Sequence, residues 1–302
     1  MSPALAMAHL STLAADGDSI WTRLFVFDNY AELLPLVRNS LIAGAVLGVL
    51  GGLFGTFVMM RDLPFAVHGI SELSFAGAAA ALLAGTSVIT GSILGSLAAA
   101  LILGVLGARA RDRNSIIGVL MPFGLGLGVL FISLYQGRAA NKFGLLTGQI
   151  VAVDSTQLGD LLVAAAIALV ALVVMWRPLT FASVDPEVAA ARGVPVRLLA
   201  PAFMLALGVA VALSIQVVGA LLVLALLCTP AAAAIQVTAS PFWVPVLATG
   251  FALVSTLGGI LVALGTSIPI SPYVTTISFL IYLVCRVVGA ARTRRGWSAR
   301  PA

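Results

Sequence analysis

Long apolar runs dominate the chain and are separated by short polar segments. A helix needs about 20 apolar residues to cross a bilayer, and nine runs approach that length. Eight spans are possible, because the polar break at 214–216 can be read as a loop or as a kink. The pattern predicts an all-α fold, a polytopic transmembrane helical bundle. The predicted spans are 36–60, 63–84, 88–108, 116–135, 158–176, 198–215, 219–236, 242–264 and 272–289.

Composition agrees with a membrane protein. Of 302 residues, 61% are hydrophobic and 9% are charged, and the mean hydropathy is +1.14. Such values exclude a soluble globular domain of ordinary composition. The net charge of +5 is spread over termini and loops, which argues against nucleic-acid binding. Cys228 and Cys285 lie far apart in apolar runs, so we interpret them as small buried hydrophobic residues.

Arginine positions predict the topology, because short cytoplasmic loops collect basic residues. Loops near 85–87 and 265–271 carry no charge, and the tail 1–35 is acidic and lacks a signal-peptide pattern. We therefore predict a permease domain at 36–290, with the N-terminus outside and a basic C-terminal tail, 291–302, in the cytoplasm. The loop 136–157, with Arg138 and Lys142, goes against this pattern. The basic side carries Arg61, Arg109, Arg111, Arg113, Arg177, Arg192, Arg197, Arg286, Arg292, Arg294, Arg295 and Arg300.

Glycines repeat in the first span at the spacing that lets membrane helices approach closely. Gly44, Gly48 and Gly52 are four residues apart, and a second pair follows at 51 and 55. We interpret this face as a helix-packing surface, which could lie near the axis of a homodimer or pack within one chain. No Gly-rich phosphate loop ending in Lys-Ser or Lys-Thr occurs, so the chain is not expected to hydrolyse ATP by that route.

One polar segment between the fifth and sixth spans has the signals of a short capped helix. Asp185 is a suitable N-cap, Pro186 suits the first turn, and Glu187 favours the positive end of the helix dipole. Arg192 suits the negative end, and Gly193 is a suitable stop. The segment is either a simple connector or a docking helix for a partner protein, and we favour the second interpretation.

The second span contains the main candidate for chemistry. His68 and Glu72 are four residues apart, so their side chains share one helix face. With Arg61 as the cytoplasmic boundary, a rise of about 1.5 Å per residue places Glu72 about 16 Å into the membrane. Ionisable groups at that depth are costly and usually functional. We therefore predict a cation or proton site rather than a structural hydrogen bond, and we expect this span to be partly unwound.

Three blocks of the chain resemble the ABC-3 permeases, the membrane subunits of manganese and zinc ABC importers. The resemblance covers about residues 40–285. It implies a type II importer-like bundle and identifies 183–197 as a cytoplasmic coupling segment. The blocks are 55–63 followed by 76–78, 185–195, and 217–227 followed by 230–232.

The resemblance also implies that the pair in the second span binds the transported metal. Members of the family usually carry Asp at the first position and His four residues later. This chain has His68 and Glu72 there, so one imidazole and one carboxylate are kept in exchanged order. A two-fold homodimer, as the resemblance implies, would supply two nitrogen and two oxygen ligands. Such a set suits Zn²⁺ and accepts Mn²⁺ or Fe²⁺.

The function that we predict is the permease subunit of an ATP-driven importer of divalent metal ions in a bacterial cell membrane. The resemblance implies two cytoplasmic ATPase subunits docked on the coupling segment and an external metal-binding protein. No permanently bound cofactor and no covalent chemistry are expected. The alternatives are a metal- or proton-coupled secondary transporter, a siderophore-type ABC permease, and an intramembrane metalloenzyme. The last of these would need a third fixed ligand and a general base.

Overall fold

The computed structural model describes residues 34–106, 110–137, 154–220, 223–264 and 269–294. The predicted N-terminal tail lies almost wholly outside these ranges, as do residues 295–302 of the C-terminal tail and most of the loop 136–157 with Arg138 and Lys142. Every regular element among the described residues is an α-helix, which confirms the predicted fold class. The helices are α1 Arg38–Met60, α2 Pro64–Ala84, α3 Val88–Leu106, α4 Ala110–Leu134, α5 Ser155–Val184, α6 Pro186–Ala191, α7 Val196–Val218, α8 Val223–Leu227, α9 Thr229–Val237, α10 Trp243–Ala263 and α11 Ile270–Arg294.

Eight of these helices are long and apolar enough to cross a membrane: α1 to α5, α7, α10 and α11. A helix satisfies its own backbone hydrogen bonds, which is why such apolar segments are helical in a bilayer. α2 runs without interruption from Pro64 to a left-handed Gly85, so the expected unwinding of this span was wrong. Residues 214–216 lie inside α7, which continues to Val218.

The predicted span 219–236 is not one continuous helix. It forms the short helices α8 and α9, with Cys228 between them and Pro230 in the first turn of α9. Proline has no backbone N–H and its ring clashes with the preceding turn, so a continuous helix through this position is disfavoured. The apolar run alone could not distinguish an unbroken span from this broken one. The described residues therefore form eight continuous candidate spans and one shorter, broken apolar segment, rather than nine continuous spans.

The broken segment nevertheless runs along the length of the bundle beside α11. The Ser278 hydroxyl donates to the Ala225 carbonyl at 3.2 Å, and Gly289 lies against the Gln236 carbonyl. Ala225 and Gln236 therefore follow α11 in the same direction. α8 and α9 provide a ninth passage, so the described ends of the chain lie at opposite ends of the bundle.

Two glycines of α1 make room for the broken segment. A methyl group at Gly51 would lie 2.8 Å from the Leu226 carbonyl oxygen, and one at Gly55 would collide with the Leu227 carbonyl oxygen. These carbonyls lie where the helix is interrupted, and side chains larger than hydrogen would push α1 away from them. The glycine pair thus belongs to the packing around the helix break.

The glycine ladder of α1 packs against α10 of the same chain. Gly44 faces Ile260, and Gly52 faces Thr249, where a methyl group would lie 2.7 Å from the Thr249 hydroxyl oxygen. Gly48 lies between them, against Leu253 and Thr256. The two helices are antiparallel and closely packed. Of the two interpretations of the ladder, the structure therefore places this face within one chain rather than on a free surface.

The fifth span continues beyond its predicted end at Trp176. α5 has 30 residues, which corresponds to about 45 Å of helix against the roughly 30 Å of a hydrocarbon core. Its last turns therefore exceed the length needed to cross the hydrocarbon core. They stay packed through the buried side chains of Leu179 and Ala182 and lead directly into α6. Asp185 ends α5 and also caps α6, so the long fifth helix is what carries the polar segment to its position.

Candidate functional site

His68 and Glu72 lie in the N-terminal half of α2. Glu72 is eight residues from Pro64 and twelve from Ala84, about 12 Å and 18 Å along the helix. The Nε2 atom of His68 is 3.7 Å from Oε1 of Glu72. The structure therefore brings together the two side chains that the sequence singled out.

The spacing of these two atoms suits shared coordination better than a direct hydrogen bond. An N–H···O hydrogen bond is about 2.7–3.2 Å long, and the observed 3.7 Å exceeds it. Two ligands about 2.1 Å from a tetrahedral zinc ion lie about 3.4 Å apart. A cation could thus be held between the imidazole nitrogen and the carboxylate with a change of a few tenths of an ångström.

The two side chains differ in accessibility. The Glu72 side chain is 6% exposed, whereas the His68 side chain is 28% exposed. The carboxylate is therefore enclosed by the bundle, while the imidazole can be reached from outside this chain. A buried carboxylate without a partner is expensive, so this arrangement favours a positively charged occupant beside it.

Glycines of α4 explain why Glu72 is enclosed. A methyl group at Gly124 would lie 2.9 Å from the carbonyl carbon of Glu72, and one at Gly128 would collide with the Phe75 ring. α4 therefore packs directly on the backbone of α2 at the level of the carboxylate. Sequence reasoning did not identify these residues. The available signal was the pair of glycines four residues apart in the fourth span.

The described part of the chain supplies two candidate metal ligands at this site. No group of three or more His, Cys, Asp or Glu side chains that could hold a metal occurs among the described residues. The nearby Ser71 hydroxyl is engaged, because it donates to the His68 carbonyl oxygen at 2.8 Å. Nε2 of His68 and the carboxylate of Glu72 are thus the atoms available for a cation.

The capped helix forms where the sequence predicts it. The carboxylate Oδ1 of Asp185 accepts a hydrogen bond from the Val188 amide at 3.0 Å, and Pro186 occupies the first turn. Glu187 lies in that turn, Arg192 is the C-cap, and Gly193 has a φ of 86°. This left-handed conformation is the reason for a glycine at the stop. The helix ends exposed, beyond the last turns of α5.

Comparisons with known proteins agree with this architecture. The sequence profile of the ABC 3 transport family matches residues 34–289. The chain is 30% identical over 237 residues to the manganese transport system membrane protein MntC of Halalkalibacterium halodurans, covering 78% of this chain and 81% of that protein. It is 25% identical over 249 residues to the manganese import system permease protein ScaB of Streptococcus parasanguinis, covering 82% and 89% of the two chains.

A solved structure has the same fold. PsaBC from Streptococcus pneumoniae in complex with Fab contains a chain that superposes with a TM-score of 0.75. The match covers 84% of this chain and 94% of that one at 24% sequence identity. At this identity the likeness supports the arrangement of the helices alone. It confirms the predicted all-α transmembrane bundle.

Proposed function

The chain belongs to the ABC 3 transport family, and we propose that it is the permease subunit of an ATP-driven importer of divalent transition-metal ions. The observation that carries the proposal is the His68–Glu72 pair inside a membrane-spanning helix. A histidine and a carboxylate at 3.7 Å offer nitrogen and oxygen ligands in a place where ionisable side chains are costly and usually functional. The chain itself performs no covalent step.

Manganese is the metal that we favour. Two relatives that cover most of this chain are named manganese transport proteins. Carboxylate oxygen suits Mn²⁺, and imidazole suits Zn²⁺ and Fe²⁺, so a mixed set accepts all three. Because an imidazole must be neutral to bind a metal, uptake is expected to fall at acidic pH.

A second copy of the chain would complete the ligand set. Each chain contributes one nitrogen and one carboxylate, whereas a bound transition metal usually takes four or more ligands. Two copies related by a two-fold axis would bring two His68 and two Glu72 side chains to one site. The exposed fraction of the His68 side chain, 28%, supports a site that opens toward such a neighbour. Ligands shared between two chains can separate, which allows release of the ion.

The basic end of the bundle is assigned to the cytoplasm. α1 ends at this end with Arg61, and the last turns of α5, which follow Arg177, lie there beside Arg61. α11 also ends there with Arg286 and Arg292, because it runs parallel to α1. The positive-inside tendency places this basic end in the cytoplasm. The opposite end of α1, which begins at Arg38, then lies on the outer side. The described N-terminal end lies outside and the C-terminal end inside.

This orientation puts the coupling segment where an ATPase can bind it. The exposed α6 projects from the cytoplasmic end of the bundle on the last turns of α5. An external metal-binding protein would deliver the ion at the opposite end. Hydrolysis of ATP by the docked subunits would then open the His68–Glu72 site to each side in turn.

Reconstituted transport tests this proposal. The chain assembled with its ATPase in proteoliposomes should take up Mn²⁺ only when ATP and the delivering protein are supplied. A proton gradient without ATP should drive no uptake. Uptake that follows the proton gradient and ignores ATP would instead indicate a secondary transporter. Omission of the permease from otherwise identical vesicles is the control for leakage.

A further inference from the structure

A short, fixed turn connects α1 to the helix that carries the metal-site pair. It consists of residues 61–63, and Asp62 has a φ of 55°, which is unusual for a residue other than glycine. The Leu63 amide donates to the Val58 carbonyl at 2.9 Å, and Leu63 is buried. His68 follows within seven residues of the turn. A displacement of this turn would therefore move the start of α2 and the pair on it.

The first residue of the turn, Arg61, contacts the chain on both sides of α6. Its Nη1 atom donates a long hydrogen bond to the Ser183 hydroxyl, with 3.4 Å between the two heavy atoms. The Ser183 hydroxyl in turn donates to the Leu179 carbonyl at 2.6 Å, in the last turns of α5. The Cζ atom of Arg61 lies 5.9 Å from the centre of the Phe203 ring, on α7. One guanidinium thus joins the helix that leads into α6 and the helix that follows it.

The ring that Arg61 covers belongs to a cluster of aromatic side chains shared by α1, α5 and α7. Phe203 stacks near Phe54, with the ring centres 6.1 Å apart and the planes at 23°. Phe57 meets Phe203 edge-on at 6.1 Å and Trp176 at 4.8 Å. Aromatic pairs of this kind contribute energy beyond their buried area. The cluster fixes these three helices beside the coupling segment.

We propose that Arg61 is a positioning residue that transmits movement of the coupling segment to the metal-site helix α2. The inference rests on the proposed transport function. A basic residue at a cytoplasmic span end needs no special role, since topology alone accounts for it. Arg61 differs because its contacts with Ser183 and with the Phe203 ring reach the elements on either side of α6. A planar guanidinium can donate a hydrogen bond while it lies against an aromatic face. A lysine ammonium cannot make both of these interactions in the same geometry.

The test compares Arg61→Ala and Arg61→Lys in the assembled complex, measuring Mn²⁺ binding, ATP hydrolysis and Mn²⁺ transported per ATP. Loss of the hydrogen bond to Ser183 and of the cation–π contact with Phe203 should lower the ratio of Mn²⁺ to ATP about tenfold in Arg61→Ala. Binding of Mn²⁺ should change by less than about twofold. Arg61→Lys should restore part of the ratio. Arg38→Ala, which removes an exposed arginine at the other end of α1, is the matched control.

Ser183→Ala provides a second, milder variant, because it removes the acceptor of the Arg61 hydrogen bond, together with the local bond from Ser183 to the Leu179 carbonyl, and keeps the contact of Arg61 with Phe203. It should lower the ratio in the same direction, and its effect should be non-additive with Arg61→Ala. The proposal would be overturned if both Ser183→Ala and Arg61→Lys transported as many Mn²⁺ ions per ATP as the unmodified complex. This criterion can be applied even if Arg61→Ala fails to assemble. If the unmodified complex neither binds nor transports Mn²⁺, the proposed function fails instead, so the two failures are distinguishable.

Discussion

Replacing Glu72 by Gln is expected to abolish metal uptake while leaving the protein folded. The amide keeps the size of the side chain but loses the negative charge and one metal-binding oxygen. Mutation of residues that only support a metal ligand already lowers metal affinity by up to about 100-fold. Because Glu72 is proposed to be a ligand itself, we expect at least about a 100-fold loss of Mn²⁺ uptake at metal concentrations below saturation. The carboxylate is enclosed by α4, and removing a buried charge should not lower the thermal stability.

The matched control for this change is Asp160→Asn. Asp160 is an exposed carboxylate in the first turns of α5, so its neutralisation changes the net charge equally and should leave uptake unaltered. His68→Gln should weaken uptake in the same way as Glu72→Gln. If both variants of the pair import Mn²⁺ and Zn²⁺ at the unmodified rate, the metal site lies elsewhere and the pair is structural.

Replacing Gly193 by Val is expected to uncouple ATP hydrolysis from metal transport. Gly193 has a φ of 86°, and a side chain in this region costs about 1–2 kcal/mol, more for a β-branched residue. The strain should move or unwind the end of α6. Stimulation of ATP hydrolysis by metal should fall severalfold, and Mn²⁺ binding at His68 and Glu72 should remain, because the site lies in another helix.

Gly193→Asn is the control for this experiment, since asparagine tolerates the left-handed conformation better than other residues with a side chain. It should retain most of the coupling. Equal coupling in the Val and Asn variants would show that the conformation of this stop is unimportant. Full metal stimulation in both would count against docking of an ATPase on the coupling segment.

Local signals in the sequence predicted local structure well. The caps of α6 depend on neighbouring residues only: Asp185 bonds the amide three residues later, and Gly193 supplies the positive φ. The i, i+4 spacing of His68 and Glu72 likewise places both side chains on one face once a helix is assumed. These features require no knowledge of which helices are neighbours.

Features that depend on tertiary packing were beyond the sequence. Residues 219–236 form an apolar run of span length, and the run alone does not show that Pro230 breaks it beside the glycines of α1. The enclosure of Glu72 depends on Gly124 of another helix. The contact of Arg61 with Ser183 joins residues 122 positions apart. Periodicity describes which face of a helix is apolar, but it does not choose the partner of that face.

The most direct test of this account is the electron spin echo spectrum of Mn²⁺ bound to the purified, assembled complex. A manganese ion held by His68 should show modulation from the imidazole nitrogen. This modulation should disappear in His68→Gln, and in Glu72→Gln the affinity for Mn²⁺ should fall about 100-fold. Tightly bound Mn²⁺ that shows no nitrogen modulation, or modulation that persists in His68→Gln, would contradict the assignment of the transported metal to this pair.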